Sequence, residues 1–262
     1  MSRLYVALAV GAGLAVALPA GAADFIPEAP VITYEEPAPA PVYGGWYLRG
    51  HLGMSNQRLG RMTNPDFAAL TAAYEFLDSG SFDSGAIFGG GIGYKVNQYL
   101  RLDGIVEYRG KTRFKALDRY DTDGDGVWDG TNDYDARKSE WLLMANAYAD
   151  LGEFHGITPY IGAGIGMSRN TIHGFRDINV PTGGVAYGGT KSGWELAWAL
   201  HAGLGIKATD RLTVDLGYSY VHLGDGKTNR VVAYDGSGSI APFTLKDIAS
   251  HDFKVGVRYS LH

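Results

Sequence analysis

The stretch Trp194-Glu195-Leu196-Ala197-Trp198-Ala199-Leu200-His201-Ala202-Gly203-Leu204-Gly205-Ile206-Lys207 decides the fold. One alternate set is Trp194, Leu196, Trp198, Leu200, Ala202, Leu204 and Ile206, all apolar; the other mixes Glu195, His201 and Lys207 with alanine and glycine. An apolar face that returns every second residue belongs to a β-strand, because a helix spaces its stripe by three and four. Seven further segments alternate in the same way, near residues 46–55, 86–96, 100–114, 140–151, 160–171, 212–223 and 253–261. The connections at 97–99, 152–156 and 209–211 are short, and the other four run to about 22–30 residues. Short and long connections taking turns predict an all-β fold, an eight-stranded antiparallel up-and-down transmembrane β-barrel. It would have three short periplasmic turns and four long extracellular loops.

Parity fixes the register. A three-residue turn at 97–99 sets Lys95 opposite Arg101 and Tyr94 opposite Leu102, so each pair shares a face. The turn at 209–211 does the same for Lys207 and Thr213. The two hairpins are also an internal repeat: Gly91, Gly93, Lys95, Leu100, Asp103 and Tyr108 recur 112 positions later as Gly203, Gly205, Lys207, Leu212, Asp215 and Tyr220. Four strands apart in a closed sheet of eight, they are expected on opposite walls.

The polar face carries Arg49, Lys95, Arg101, Asp103, Glu107, Arg109, Glu140, Asp150, Glu195, Lys207, Asp215, Lys254 and Arg258. An eight-stranded barrel is only just wide enough for side chains, so these charges are expected to fill the interior. Lys95–Asp103 and Lys207–Asp215 are the expected diagonal ion pairs. Much of the glycine excess, 38 residues in 262, falls on the same face and makes room for long side chains. The apolar face carries Trp46, Tyr94, Trp141, Trp194, Trp198, Tyr218 and Tyr259, the pattern of interfacial aromatic girdles on a lipid-facing wall.

Outside the barrel, Arg3, the apolar run from Leu4 to Leu18 and the small residues Ala20, Gly21 and Ala22 read as a cleaved export signal over residues 1–22. Residues 23–44 hold half of the prolines among Asp24, Glu28, Glu35 and Glu36, and are expected to form an extended periplasmic tail. The absence of cysteine excludes thiol chemistry and disulfides, and a formal charge of −5 argues against a nucleic-acid partner.

Several segments together resemble the small outer-membrane β-barrel surface proteins of alpha-proteobacterial type, a porin-family, OmpA-like group. They are Gly45-Trp46-Tyr47-Leu48-Arg49-Gly50, Tyr108-Arg109, Gly156-Ile157-Thr158-Pro159-Tyr160-Ile161-Gly162-Ala163-Gly164 and the terminal Val255-Gly256-Val257-Arg258-Tyr259. The resemblance spans about Gly45 to Leu261. It implies an outer-membrane location and contact with outer-membrane lipid and lipopolysaccharide. It also implies recognition of the last strand by the assembly machinery. Members end on an aromatic residue, whereas this chain ends Ser260-Leu261-His262. No peptidoglycan-binding domain of the OmpA type is expected after the last strand.

No catalytic residue and no resident cofactor is expected. Gly162-Ala163-Gly164-Ile165-Gly166-Met167 and Gly226-Lys227-Thr228 only approximate nucleotide-binding motifs and lack the helix these need. His222 stands where the base of a lipid A-modifying barrel would sit, but Leu223, Gly224 and Asp225 follow without a serine. The strongest site pattern is Asp121, Asp123, Asp125, Val127 and Asp129, spaced like the oxygen ligands of a calcium loop around Gly126. Asn132 stands where the bidentate glutamate would be, so any Ca²⁺ site is expected to be weak. Phe67, Tyr74, Phe76, Trp128, Tyr134, Phe175, Tyr187 and Tyr234 lie in the loops, either as anchors for a host or cell-surface ligand or as loop packing. The function that the resemblance implies is structural and surface-presenting: envelope integrity, adhesion or antigen display. A narrow channel for small solutes and a lipid A-modifying enzyme are the alternatives.

Overall fold

The computed structural model describes residues 44–68 and 73–261; the expected export signal and the tail up to residue 43 lie outside the described residues. In chain order the elements are β1 (Gly45–Arg58), β2 (Arg61–Thr63), the single-turn helix α1 (Pro65–Ala68), β3 (Ala73–Phe82), β4 (Gly85–Lys95) and β5 (Leu100–Asp121). There follow β6 (Gly130–Asp150), β7 (Ile157–Asn179), β8 (Val185–Lys207), β9 (Leu212–Lys227), β10 (Val231–Ala233), β11 (Ser239–Ile240) and β12 (Thr244–Ser260).

Eight of the strands form a closed antiparallel ring in the order β1, β4, β5, β6, β7, β8, β9, β12, with β12 returning to β1. Lys95 stands opposite Arg101 and Lys207 opposite Thr213, the register that the turn lengths predict. The repeated hairpins β4–β5 and β8–β9 occupy opposite walls. Closure leaves no free edge in the ring, which is the condition for a sheet in hydrocarbon.

The two faces are inverted relative to a water-soluble barrel. Leu52, Leu143, Ile165, Leu196 and Val255 point outward and are exposed, while Glu107, Arg109 and Asp252 point inward and are fully buried. Such a wall is stable only where the outer solvent is lipid. All seven expected girdle aromatics are on this outer wall. Trp46 packs edge-on to Tyr94, with ring centroids 5.2 Å apart, and Trp141 lies 4.9 Å from Tyr108.

Three of the four long connections are not irregular loops. The β5–β6 ladder continues to Tyr120 and Gly130, leaving only residues 122–129 as a turn, and β7–β8 continues to Ile178 and Val185. On the fourth side β9 reaches Lys227, where it pairs with Thr244. The strands run beyond the segments that alternation marks because β-bulges reset the alternation where they leave the lipid span. Odd-numbered residues of β5 face inward up to Arg109, and even-numbered ones from Thr112 onward. Register shifts at Ile172/Phe175 in β7 and at Leu245/Ile248 in β12 act likewise, Asp247 taking φ 56°. Above the bulges much of the inward set is apolar: Phe114, Ala116, Tyr134, Ala136, Phe175, Phe243 and Leu245 form a buried core that caps the lumen. The rings of Tyr134, Phe175 and Phe243 lie 5.1–5.9 Å apart.

Glycine makes room below this cap. A Cβ on Gly93 would lie 2.2 Å from the Tyr47 ring, and one on Gly89 would lie 2.4 Å from His51 Nε2. The Tyr47 hydroxyl is held by Asp103 at 3.2 Å, so the ring has little freedom to withdraw. Gly93→Val is therefore expected to destabilise the folded barrel by about 1–3 kcal/mol through overpacking. The check is the temperature at which the folded band is lost in semi-native detergent gels. An unchanged transition temperature would refute the space-making role.

Candidate functional site

The lumen is sealed by charges that meet one for one. Arg49, Arg101, Arg109, Lys138, Lys254 and Arg258 face Asp103, Glu107, Glu140, Asp150, Asp215 and Asp252. At the periplasmic end Arg101 donates to both oxygens of Asp150 at 2.8–2.9 Å. Arg258 forks onto Asp215 at 2.7 and 2.9 Å. One layer further in, Arg49 Nη1 donates to Asp103 at 2.5 Å, and Asn146 Nδ2 donates to the same carboxylate at 2.7 Å. In the middle, Glu107 is contacted by His51 Nε2 at 2.8 Å, Lys254 Nζ at 2.7 Å and Arg109 Nη2 at 2.6 Å. Arg109 also forks onto Asp252 at 3.0 and 2.6 Å. Beneath the apolar cap, Lys138 bridges Gln57 at 3.0 Å and Glu140 at 2.6 Å. Buried charges persist only when paired and hydrogen-bonded, and removing one partner costs about 3–5 kcal/mol.

Two of the expected interior charges are not interior. Lys95 and Lys207 are exposed beside the periplasmic turns, and Lys207 pairs with Asp210 at 3.1 Å. Neither diagonal pair forms, because Arg49 already occupies Asp103 and Arg258 already occupies Asp215. Both lysines stand at the mouth, where water solvates an ammonium without crowding the lumen. Glu195 is half-buried near Gly224 and makes no ion pair among the described residues. Lys138 and Asp252, by contrast, were missed. Each shares parity with an interior charge two residues away, Glu140 and Lys254, and lies just beyond the readable end of its segment.

The lumen contains a chain that resembles a catalytic triad: Ser219 Oγ to His201 Nδ1 at 2.8 Å, and His201 Nε2 to Asn146 Oδ1 at 3.1 Å. Ser219 is buried, and the adjoining cavity has a volume of about 20 Å³, room for about one water. No acyl group fits there. His222 is on the outer wall, stacked on Trp198 with ring centroids 5.7 Å apart and 3.9 Å from Asp247.

Beyond the bulges the paired strands form an extracellular crown. Phe67, Tyr74, Phe76, Tyr134 and Phe175 turn into its core, so packing is their role. Trp128, Tyr187 and Tyr234 remain exposed near the tips, and the Arg119 guanidinium lies 4.1 Å from the Trp128 ring centre. At the β5–β6 tip, carboxylate oxygens of Asp121, Asp123 and Asp129 come within 4.8 Å of one another. Asp125 is outside this group: its Oδ1 accepts the Val127 amide at 2.7 Å. Asp121 also accepts the amides of Gly124 at 2.8 Å and Gly126 at 2.9 Å, which by itself accounts for the tight turn.

Inside the crown, Asp118 accepts the Asn132 amide and Nδ2, both at 3.0 Å, and the Tyr134 hydroxyl. Burial, and secondarily the nearby Asp118, push the Asp177 carboxyl up to about 7. A raised carboxyl contributes stability that is fully present below its unfolded value of about 3.9 and is lost as the pH rises through the folded one. The crown of the wild-type chain is therefore expected to melt at a lower temperature at pH 8 than at pH 5. Asp177→Asn is expected to flatten that dependence, read by near-UV circular dichroism; an equal drop in the variant would sink the assignment.

Comparison with known proteins agrees with this architecture. The profile of the outer membrane protein beta-barrel domain family matches residues 8–260. An uncharacterized protein of Brucella suis biovar 1 is 32% identical, the alignment covering 92% of each chain. Outer membrane protein PagN of Salmonella typhimurium is 26% identical over 66% of this chain and 73% of its own. A Rickettsia prowazekii protein that carries the provisional name of adhesin is 28% identical over 65% of this chain and 72% of its own. Among solved structures, Neisserial surface protein A aligns with a TM-score of 0.46 at 16% identity, covering 83% of this chain and 97% of its own. With a closed ring, an apolar outer wall and a family profile spanning nearly the whole chain, the protein belongs to the outer membrane β-barrel domain family and resides in the outer membrane.

Proposed function

We propose that the protein is a non-enzymatic surface-presenting barrel whose crown makes adhesive contacts and whose wall contributes to envelope integrity. One observation carries this reading: a lumen filled by paired charges and capped by an apolar core supports a stiff crown whose tips display Trp128, Tyr187 and Tyr234. Aromatic side chains offer large contact area at low entropic cost, which suits them to binding. The adhesin-type name of the Rickettsia prowazekii relative points the same way. The filled lumen speaks against a solute channel, and the lack of space at Ser219 speaks against acyl chemistry. Just past β12, Leu261 is exposed and its amide donates to Trp46 O at 3.0 Å; this continued pairing of the last strand with β1 supports, as part of the proposal, recognition of its outer face by the assembly machinery.

In a non-adherent Gram-negative host displaying the protein, the triple variant Trp128→Ala/Tyr187→Ala/Tyr234→Ala is expected to reduce attachment to cultured epithelial cells several-fold. Detergent resistance of the host is expected to be unchanged, and planar bilayers containing the purified barrel are expected to show no reproducible conductance. Wild-type attachment by the variant would overturn the adhesive reading.

A weak Ca²⁺ contact at Asp121, Asp123 and Asp129 is a subsidiary part of this proposal, supported by their convergence. Calorimetric titration with Ca²⁺ is expected to give millimolar-range binding that Asp123→Ala abolishes. Equal heats for the two proteins would leave the turn a purely hydrogen-bonded one.

A further inference from the structure

The outer wall of β5, β6 and β7 changes chemistry in layers just where the aromatic girdle ends. Arg169 on β7 stands opposite Trp141 on one side and Trp194 on the other, all three pointing away from the lumen. The next outward positions are hydroxyls in one cross-strand row: Ser139, covered and bonded to His173 Nε2 at 2.9 Å, then Thr171 and Ser192, 2.9 Å apart. Above them Arg137 stands between Arg113 and His173, and Lys111 lies at the β5 bulge beside this row. Arg113 is already held by Asp135 at 2.6 Å, a carboxylate that Arg176 approaches to 3.7 Å. Lys111, Arg137 and Arg169 make no ion pair among the described residues. Below the row, exposed Val106, Leu143 and Met167 continue the same strands into the lipid span. On the opposite wall the cations stand beside carboxylates: Lys227 follows Asp225 on β9, and Lys246 precedes Asp247 on β12.

We propose that Lys111, Arg137 and Arg169 bind the phosphate groups of a phosphorylated glycolipid in the outer leaflet. The inference rests on the outer-membrane location and adds a specific lipid site to it. A lipid is the fitting occupant because an apolar layer lies directly beneath a band in which cations flank hydroxyls. Acyl chains lie on Val106, Leu143 and Met167, sugar hydroxyls meet Thr171 and Ser192, and phosphates meet the three cations on either side of them. An arginine in register between two tryptophans at the membrane surface is at headgroup depth, where cations attract anionic lipid. A soluble polyanion approaching from water would meet Arg113 and Arg176 first, and these already share Asp135.

Native mass spectrometry of the detergent-solubilised full-length barrel, titrated with bisphosphorylated lipid A, tests the site. The wild type is expected to retain lipid A, and Lys111→Gln/Arg137→Gln/Arg169→Gln to bind it about tenfold or more weakly. Dephosphorylated lipid A is expected to bind the wild type as weakly as the variant binds lipid A. Arg58→Gln/Arg61→Gln, on β1 and β2, is expected to bind like the wild type. Retention of the heat-dependent gel shift shows that each variant has folded; Arg169→Gln alone replaces the triple variant if that one does not. Undiminished binding by the folded variant overturns the site while leaving the barrel intact, as does indifference to phosphorylation. Loss of heparin-fragment binding in the variant with lipid A binding intact overturns it in favour of a soluble glycan. A wild-type chain with no gel shift overturns the barrel itself and the site with it.

Discussion

A carboxylate that never meets water governs this molecule. Glu107 is fully buried at the centre of an eight-stranded ring, and His51, Arg109 and Lys254 approach it from three strands. Desolvating that charge is tolerable only because its partners are fixed, and they are fixed only because the ring is closed. Arg109 hands the constraint upward to Asp252, while Glu140 and Lys138 continue it to the underside of the apolar cap. The result is a wall that resists deformation from inside, with lipid as the solvent outside. Glycine at positions such as 89 and 93 is the complement of this filling, a missing Cβ wherever a ring or a charged head must pass.

The spanning half of the barrel was legible because lipid and lumen impose opposite chemistry on alternate residues. The run from Trp194 to Lys207 records that difference without interruption, and the three-residue turns carry the register with it. Legibility stopped at the bulges. Between Arg109 and Thr112 the inward set changes from odd to even, so a period-two reading continued past this point assigns each side chain to the wrong face. Beyond the bulges both faces are partly polar, and Phe114 or Phe175 looks like any loop aromatic until the cap is seen around it. The ion pairs were half legible. Sequence parity placed Asp103 and Asp215 in the lumen, but their partners come from β1 and β12, 54 and 43 residues away and outside the hairpins that parity describes. Lys95 and Lys207, though of the correct parity, sit one step too close to water.

The same bulges divide the protein functionally. Below them, sequence is constrained by volume and charge balance; above them, by the packing of Tyr134, Phe175 and Phe243. Only the tips, at residues such as Trp128 and Tyr234, are free of both demands. A surface protein built in this way changes what it touches without disturbing what holds it in the membrane. The basic row on β5–β7 belongs to neither half: it faces the lipid boundary itself.

At the seam where the ring closes, Arg49 on β1 stands directly opposite Arg258 on β12. Two guanidinium groups in register repel each other, and here each is drawn aside by its own carboxylate, Asp103 on β5 and Asp215 on β9. Those two carboxylates belong to strands on either side of the seam, beyond β4 in one direction and next to β12 in the other. Without those two carboxylates the seam would set like charges against each other with nothing to separate them. One cross-strand pair thus makes the closing seam depend on both of its flanking walls.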